Sequence, residues 1–187
     1  MVEENLRPIV AVFGAHTPEP GSPAYREAAE VGALLARAGF TVSNGGYSGT
    51  MAAVSEGASG EGGKVIGVTS VQIESYRSAS INPWVTKEII YKSLQERIFH
   101  LVRENDAMIV LPGGIGTLTE LAFAWNLMQV SELPYRPLVL MGEMWRETLA
   151  AFVQPEYVAL ENQEMIHFAD TPKEAVEIVS QWIQRKP

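Results

Sequence analysis

A carboxylate closes the stretch LPGGIGTLTE, which runs from Leu111 to Glu120. Glycine lets a backbone approach a ligand closely and adopt positive φ. A helix that starts after such a turn offers free N–H groups and the positive end of its dipole. A phosphate suits that arrangement. Glu120 lies one helical turn beyond Thr117, beside whatever the turn holds, where a carboxylate could stabilise a developing cation or activate an attacking water. The same residues, TLTE, also spell a capping box, with Thr117 as cap and Glu120 at the third helical position. On residue types alone both readings stand.

Other chemistries are excluded more firmly. The chain has no cysteine, which removes disulfides, thiol catalysis and cysteine metal sites. His16, His100 and His167 are far apart and show no ligand spacing, so no metal site is expected. The net charge of −8 disfavours a nucleic-acid polymer as partner, while leaving room for a local pocket that takes one small phosphate. The segment GGIGTL lacks the lysine of a Walker loop. The first turn, FGAHTPEPG, holds only Gly14 and Gly21, not the dinucleotide fingerprint. None of Lys64, Lys87, Lys92, Lys173 and Lys186 has a recognisable context for pyridoxal phosphate. The N-terminus, MVEENLRPIVAVFG, is acidic where a signal peptide would be basic, and no apolar run reaches membrane-spanning length. A cytoplasmic protein that does not engage membranes is expected.

The elements that must position these residues alternate along the chain. Short β-branched or apolar runs at 8–14, 40–46, 64–70, 106–114 and 136–142 read as buried strands, with shorter ones at 86–92 and 165–170. Helices are expected between them. Ser22 and Pro23 open one that Gly39 ends, and 49–63 is a short Ala-rich one. Ser93 and Glu96 form a capping box for 93–105. Further helices are expected over 117–130, within 145–158 where Pro155 should end or kink it, and over 171–184 with Thr171 as cap. Residues 71–84 read as a loop region. The fold class is α/β: a three-layer, Rossmann-like parallel sheet with helices on both faces, forming a single domain over 1–187. In such sheets ligands bind at the carboxyl ends of strands, where three glycine-bearing turns fall at 13–22, 43–50 and 111–117. Packing is the reading preferred for Trp125, it stays open for Gln129, and for Tyr47 and Trp84 packing and stacking on a purine remain alternatives.

PGGIGTLTE (112–120) resembles the P-G-G-x-G-T-x-x-E signature of the LOG ("Lonely guy") family, long labelled possible lysine decarboxylases. SNGGYSGTMAAVSEGA is similar to the second glycine block of that family, and VFGAHTPEPGSPAYREAA to its opening block, so the resemblance covers about residues 8 to 180. It implies a nucleoside 5′-monophosphate phosphoribohydrolase. Such an enzyme releases free base and ribose 5-phosphate from a cytokinin-riboside monophosphate or an AMP-like nucleotide, without metal or organic cofactor. By the same resemblance Arg97 and Glu120 are catalytic. Gly14, Ala15, Gly45, Gly46, Pro112, Gly113, Gly114, Gly116 and Thr117 form the substrate and phosphate site. A homodimer is implied, with helices of one subunit completing the other's pocket. Ile98, Thr119 and Phe123 depart from the family pattern and mark a divergent member. The alternatives are a non-hydrolytic nucleotide- or molybdenum-cofactor-binding protein of the same fold, and an oligomeric scaffold with an empty turn region.

Overall fold

The run Ile9–Phe13 is bounded by Pro8 and Gly14, and it is buried on both faces as a central parallel strand must be. It is one of seven parallel strands in a computed structural model that describes residues 7–185. The acidic start, residues 1–6, lies outside the described residues. The strands are β1 (Ile9–Phe13), β2 (Thr41–Asn44), β3 (Val65–Ser70), β4 (Lys87–Tyr91), β5 (Ala107–Val110), β6 (Leu138–Met141) and β7 (Ile166–Ala169). Between and after them lie α1 (Pro23–Arg37), α2 (Thr50–Gly60), α3 (Val71–Arg77), α4 (Leu94–Arg103), α5 (Ile115–Gln129), α6 (Glu143–Phe152), α7 (Leu160–Gln163) and α8 (Pro172–Arg185).

The spatial strand order is β4-β3-β2-β1-β5-β6-β7. Val10 sits opposite Val42 on one side and Ala107 on the other. The chain builds outward from β1 to β4, then crosses back to lay β5 against β1. The β1/β5 seam is therefore the point where strand order reverses and where open α/β sheets receive their ligands.

Side chains alternate across the sheet and generate two cores. Val10 and Val12 pack with Val31 and Leu35 of α1 and with Val176 and Val179 of α8. Ala11 and Phe13 face Leu101 of α4, Leu121 and Trp125 of α5 and Trp145 of α6. Each fully buried aliphatic or aromatic side chain contributes about 2 kcal/mol. The α/β reading with helices on both faces holds. Helices α1 and α2 cross so closely that a methyl on Gly32 would fall on the Val54 carbonyl, and one on Gly57 on that of Ala29.

The caps follow the sequence where local chemistry dictates them. Ser22 accepts the Tyr25 N–H at 3.2 Å, and Ser93 and Glu96 form the full capping box. Gly39 takes φ +86° after α1, and Thr171 accepts the Glu174 N–H at 3.2 Å.

Two expectations are corrected. Residues 71–77 are helical, not loop: Ser70 caps α3 by accepting the Ile73 N–H at 3.3 Å. This helix buries none of its residues, so no apolar stripe announces it. Helix α5 begins at Ile115 with Gly114 as its cap residue, and no side chain caps it. Thr117 thus stands at the third helical position and Glu120 at the sixth, which removes the capping-box role of Glu120. Helix α6 spans Glu143–Phe152 and ends ahead of Pro155, as expected, because the residue before a proline is driven out of helical geometry.

Candidate active site

The three glycine turns meet at the carboxyl edge, but they do different jobs. The β1 and β2 turns are fastened to each other. Thr50, the first residue of α2, donates to the Ala15 carbonyl from its N–H at 2.8 Å and from its hydroxyl at 3.0 Å. Ser48 donates to the His16 carbonyl at 3.1 Å. A methyl on Gly14 would fall on the Thr50 hydroxyl. Gly46 donates its N–H to Asn44 at 2.8 Å and receives Asn82 on its carbonyl. Gly14, Ala15 and Gly46 therefore shape a wall, and much of their polar backbone is already engaged.

The β5 turn is different. The Trp145 indole fixes its start by donating to the Leu111 carbonyl at 3.0 Å. Pro112 leads into Gly113, which must be bare because a methyl there would fall on the Thr117 hydroxyl. At Gly114 and Gly116 a methyl would meet nothing, so packing does not demand their bareness. Among the described residues no hydrogen bond uses the N–H of Ile115, Gly116 or Thr117, nor the Thr117 hydroxyl. Unclaimed donors at the start of a 15-residue helix make an anion cradle.

Glu120 lies on the same helical face as Gly116 and Thr117. It is only 7% exposed, and its one polar partner among the described residues is Arg97 at 3.8 Å, beyond hydrogen-bond reach. Burial raises its pKa to about 7, against the opposing pull of the Arg97 charge. Its oxygens are not among the fully buried unpartnered atoms, so they remain reachable, and a carboxyl poised near neutrality makes Glu120 a candidate general base.

Arg97 is held from three sides. It projects from α4, donates from Nε to the Val68 carbonyl at 2.7 Å and from Nη2 to the Gly45 carbonyl at 3.2 Å. Its Cζ sits 5.5 Å from the centre of the Tyr47 ring. Burial lowers its pKa and the Glu120 charge raises it; an arginine stays charged in such a site. Exposed Arg77, at the end of α3, is close enough to act electrostatically on both Arg97 and His16. The acidic protein thus gathers positive groups at this edge.

The structure brings Arg97 and Glu120 together across 22 intervening residues and places Gly45 directly against Arg97. Tyr47, left open by the sequence, is 1% exposed and cannot stack on a ligand. Trp125 packs in the core and donates to the Asn162 carbonyl at 2.7 Å. Arg77 escaped notice because its segment read as loop, although Ser70 at the strand end offered a cap. Two clefts lie elsewhere: one of about 360 Å³ among Trp125, Leu149, Val153 and Phe168, and one of about 620 Å³ beside Tyr91, Phe99 and His100. Neither is lined by Glu120 or Arg97; the buried ion pair and free donors, not the size of a hollow, mark the site.

Residues 51–179 match the family model described as "Possible lysine decarboxylase". The chain belongs to the LOG family. Among LOG relatives, the cytokinin riboside 5′-monophosphate phosphoribohydrolase of Mycobacterium tuberculosis is 32% identical over 180 residues, covering 89% of this chain and 90% of that protein. An X-ray structure from a structural-genomics consortium is 30% identical with a TM-score of 0.74, covering 93% and 99% of the two chains. The molybdenum cofactor binding protein of Rippkaea orientalis shares the fold at 23% identity and a TM-score of 0.75, over 95% and 98% of the two chains. Within this LOG member, PGGIGTLTE is the bare turn and first helical turns of α5.

Proposed function

We propose that this LOG-family chain hydrolyses the N-glycosidic bond of a nucleoside 5′-monophosphate, working in the cytoplasm as a single-domain homodimer. The observation that carries the reading is Glu120: a buried carboxylate that accepts no hydrogen bond, faces Arg97 at 3.8 Å, and stands one turn beyond an uncapped helix start. The N–H groups of Ile115, Gly116 and Thr117 and the Thr117 hydroxyl receive the 5′-phosphate. The ribose then lies over Glu120. Cleavage of the C1′–N bond leaves positive charge on the sugar, which the carboxylate stabilises. Glu120 takes a proton from the attacking water, whose oxygen bonds to C1′; the base departs with its bonding electron pair and takes up that proton, which returns Glu120 to the carboxylate. The products are free base and ribose 5-phosphate. The name of the mycobacterial relative supports a cytokinin-riboside monophosphate as substrate.

The homodimer reading is supported by large apolar side chains left exposed on the two helices that carry Arg97 and Glu120. Leu94 and Phe99 of α4 and Ile115 and Leu118 of α5 are all exposed, Ile115 to 80%. Phe99 meets Phe123 at 6.3 Å between ring centres. Such a patch suits a second copy of the chain.

The test is base release from a panel of nucleoside monophosphates, read by chromatography, with Glu120→Gln beside the wild type. Release by the wild type alone supports the reading; equal release by both sinks the role of Glu120. The second reading, binding without hydrolysis, draws on the apolar Ile98 and Phe123 at positions where LOG members carry polar residues, both packed against the core. Tight binding of a nucleotide or pterin with no turnover would favour it.

A further inference from the structure

We propose that Tyr47 is a positioning residue: its buried ring carries the Arg97 guanidinium on its face, and its hydroxyl anchors that ring to the β3–α3 junction. The inference rests on the assignment of Arg97 and Glu120 as the reactive pair.

Two of the five N–H donors of Arg97 are committed to backbone carbonyls, and a third nitrogen faces Glu120. Nε and Nη2 point at the carbonyls of Val68 and Gly45, and Nη1 turns toward Glu120. Those bonds fix the edges of a planar group but leave its faces unsupported. The Tyr47 ring lies under it, with Cζ 5.5 Å from the ring centre, within the range of a cation–π contact. In a desolvated site this attraction also offsets part of the cost of burying the charge.

The ring is itself immobilised. Ser70 donates its N–H to the Tyr47 hydroxyl at 2.8 Å. The hydroxyl hydrogen has two acceptors, the Ser70 carbonyl at 3.2 Å and the Glu74 carboxylate at 3.4 Å. Ser70 is also the cap of α3. A continuous chain of contacts therefore runs from α3 through Tyr47 to Arg97 and on to Glu120. With its hydroxyl engaged at β3 and α3, and its pKa raised by burial, Tyr47 is a neutral phenol with no free proton to offer a substrate. Its contribution is geometric.

The experiment reads the proton on Glu120 without substrate, so its outcome is independent of whether the protein turns over any nucleotide. The side-chain carboxyl of Glu120 is followed by carbon NMR against pH in the full chain, with Glu120→Gln assigning the resonance. In Tyr47→Leu the guanidinium loses its platform and pulls less on Glu120, so the midpoint rises by about half a pH unit or more. In Tyr47→Phe the face remains and the midpoint stays near the wild-type value. Where Tyr47→Leu does not fold, phenylalanines with one, two and three ring fluorines at position 47 weaken the π face while nearly preserving its shape, and the midpoint rises with each fluorine. An unchanged midpoint in folded Tyr47→Leu, or a flat response across the fluorinated series, overturns the proposal.

Discussion

Gly45 and Arg97 compete for one volume. A methyl on Gly45 would fall on the guanidinium, and it would lie 2.5 Å from the Met51 sulfur. The Gly45→Ala variant must therefore push Arg97 off the Gly45 carbonyl and away from Glu120. We expect a stability loss of about 1–3 kcal/mol from overpacking and, if Arg97 and Glu120 act as proposed, a fall in kcat of about tenfold or more. Thermal melts and base-release assays on the same preparation check both.

Gly116 makes the opposite case. A methyl there meets nothing, and alanine is the better helix former by about 1 kcal/mol. Gly116→Ala should raise Tm slightly. On the proposed reading it should also raise KM for a nucleoside monophosphate, because the methyl would stand where the phosphate is proposed to approach the first turn of α5. Calorimetry and steady-state kinetics would show stability and affinity moving in opposite directions.

The raised pKa of Glu120 fixes the direction of two pH effects. If the carboxylate is the working form, kcat/KM climbs with pH and levels off above about 7. For stability, the fold holds the Glu120 proton up to about pH 7, whereas the unfolded chain releases it near 4.5. The associated stability is fully present below about 4.5 and is lost as pH rises through 7; its upper bound is about 3 kcal/mol. Denaturant melts from pH 4 to 8 should show this decline in the wild type and a flatter profile in Glu120→Gln.

The exposed apolar face of α4 and α5 predicts self-association. Light scattering at micromolar concentration should give a dimer mass, and Leu118→Arg should shift it to the monomer. Leu118 is one residue past Thr117 on α5, so loss of the dimer should also disturb ligand binding.

The sheet was legible because burial on both faces leaves short β-branched runs such as Ile9–Phe13, and helix starts were legible where a side chain makes the cap, as at Ser22 and Ser93. Helix α3 was not, because it buries nothing and so has no periodic face. The start of α5 was misplaced for a local reason: TLTE is a sound capping box, yet the chain enters the helix one turn earlier, through Gly114, which has no side chain to signal it. The site was legible as a motif and not as a geometry. Nothing in spacing alone joins Arg97 to Glu120; only the family resemblance suggested it, and the fold supplies the contact by laying α4 and α5 on the same face of the sheet.

The bonds from Thr50 and Ser48 that clamp the β1 turn to the β2 turn have a thermodynamic consequence for any guest. Two of the three loops around the site are rigid before anything arrives, so little chain freedom remains to be lost on association. If the proposed anion docks at the start of α5, it meets two walls already set, and the entropic penalty of docking falls mainly on the guest and the β5 turn.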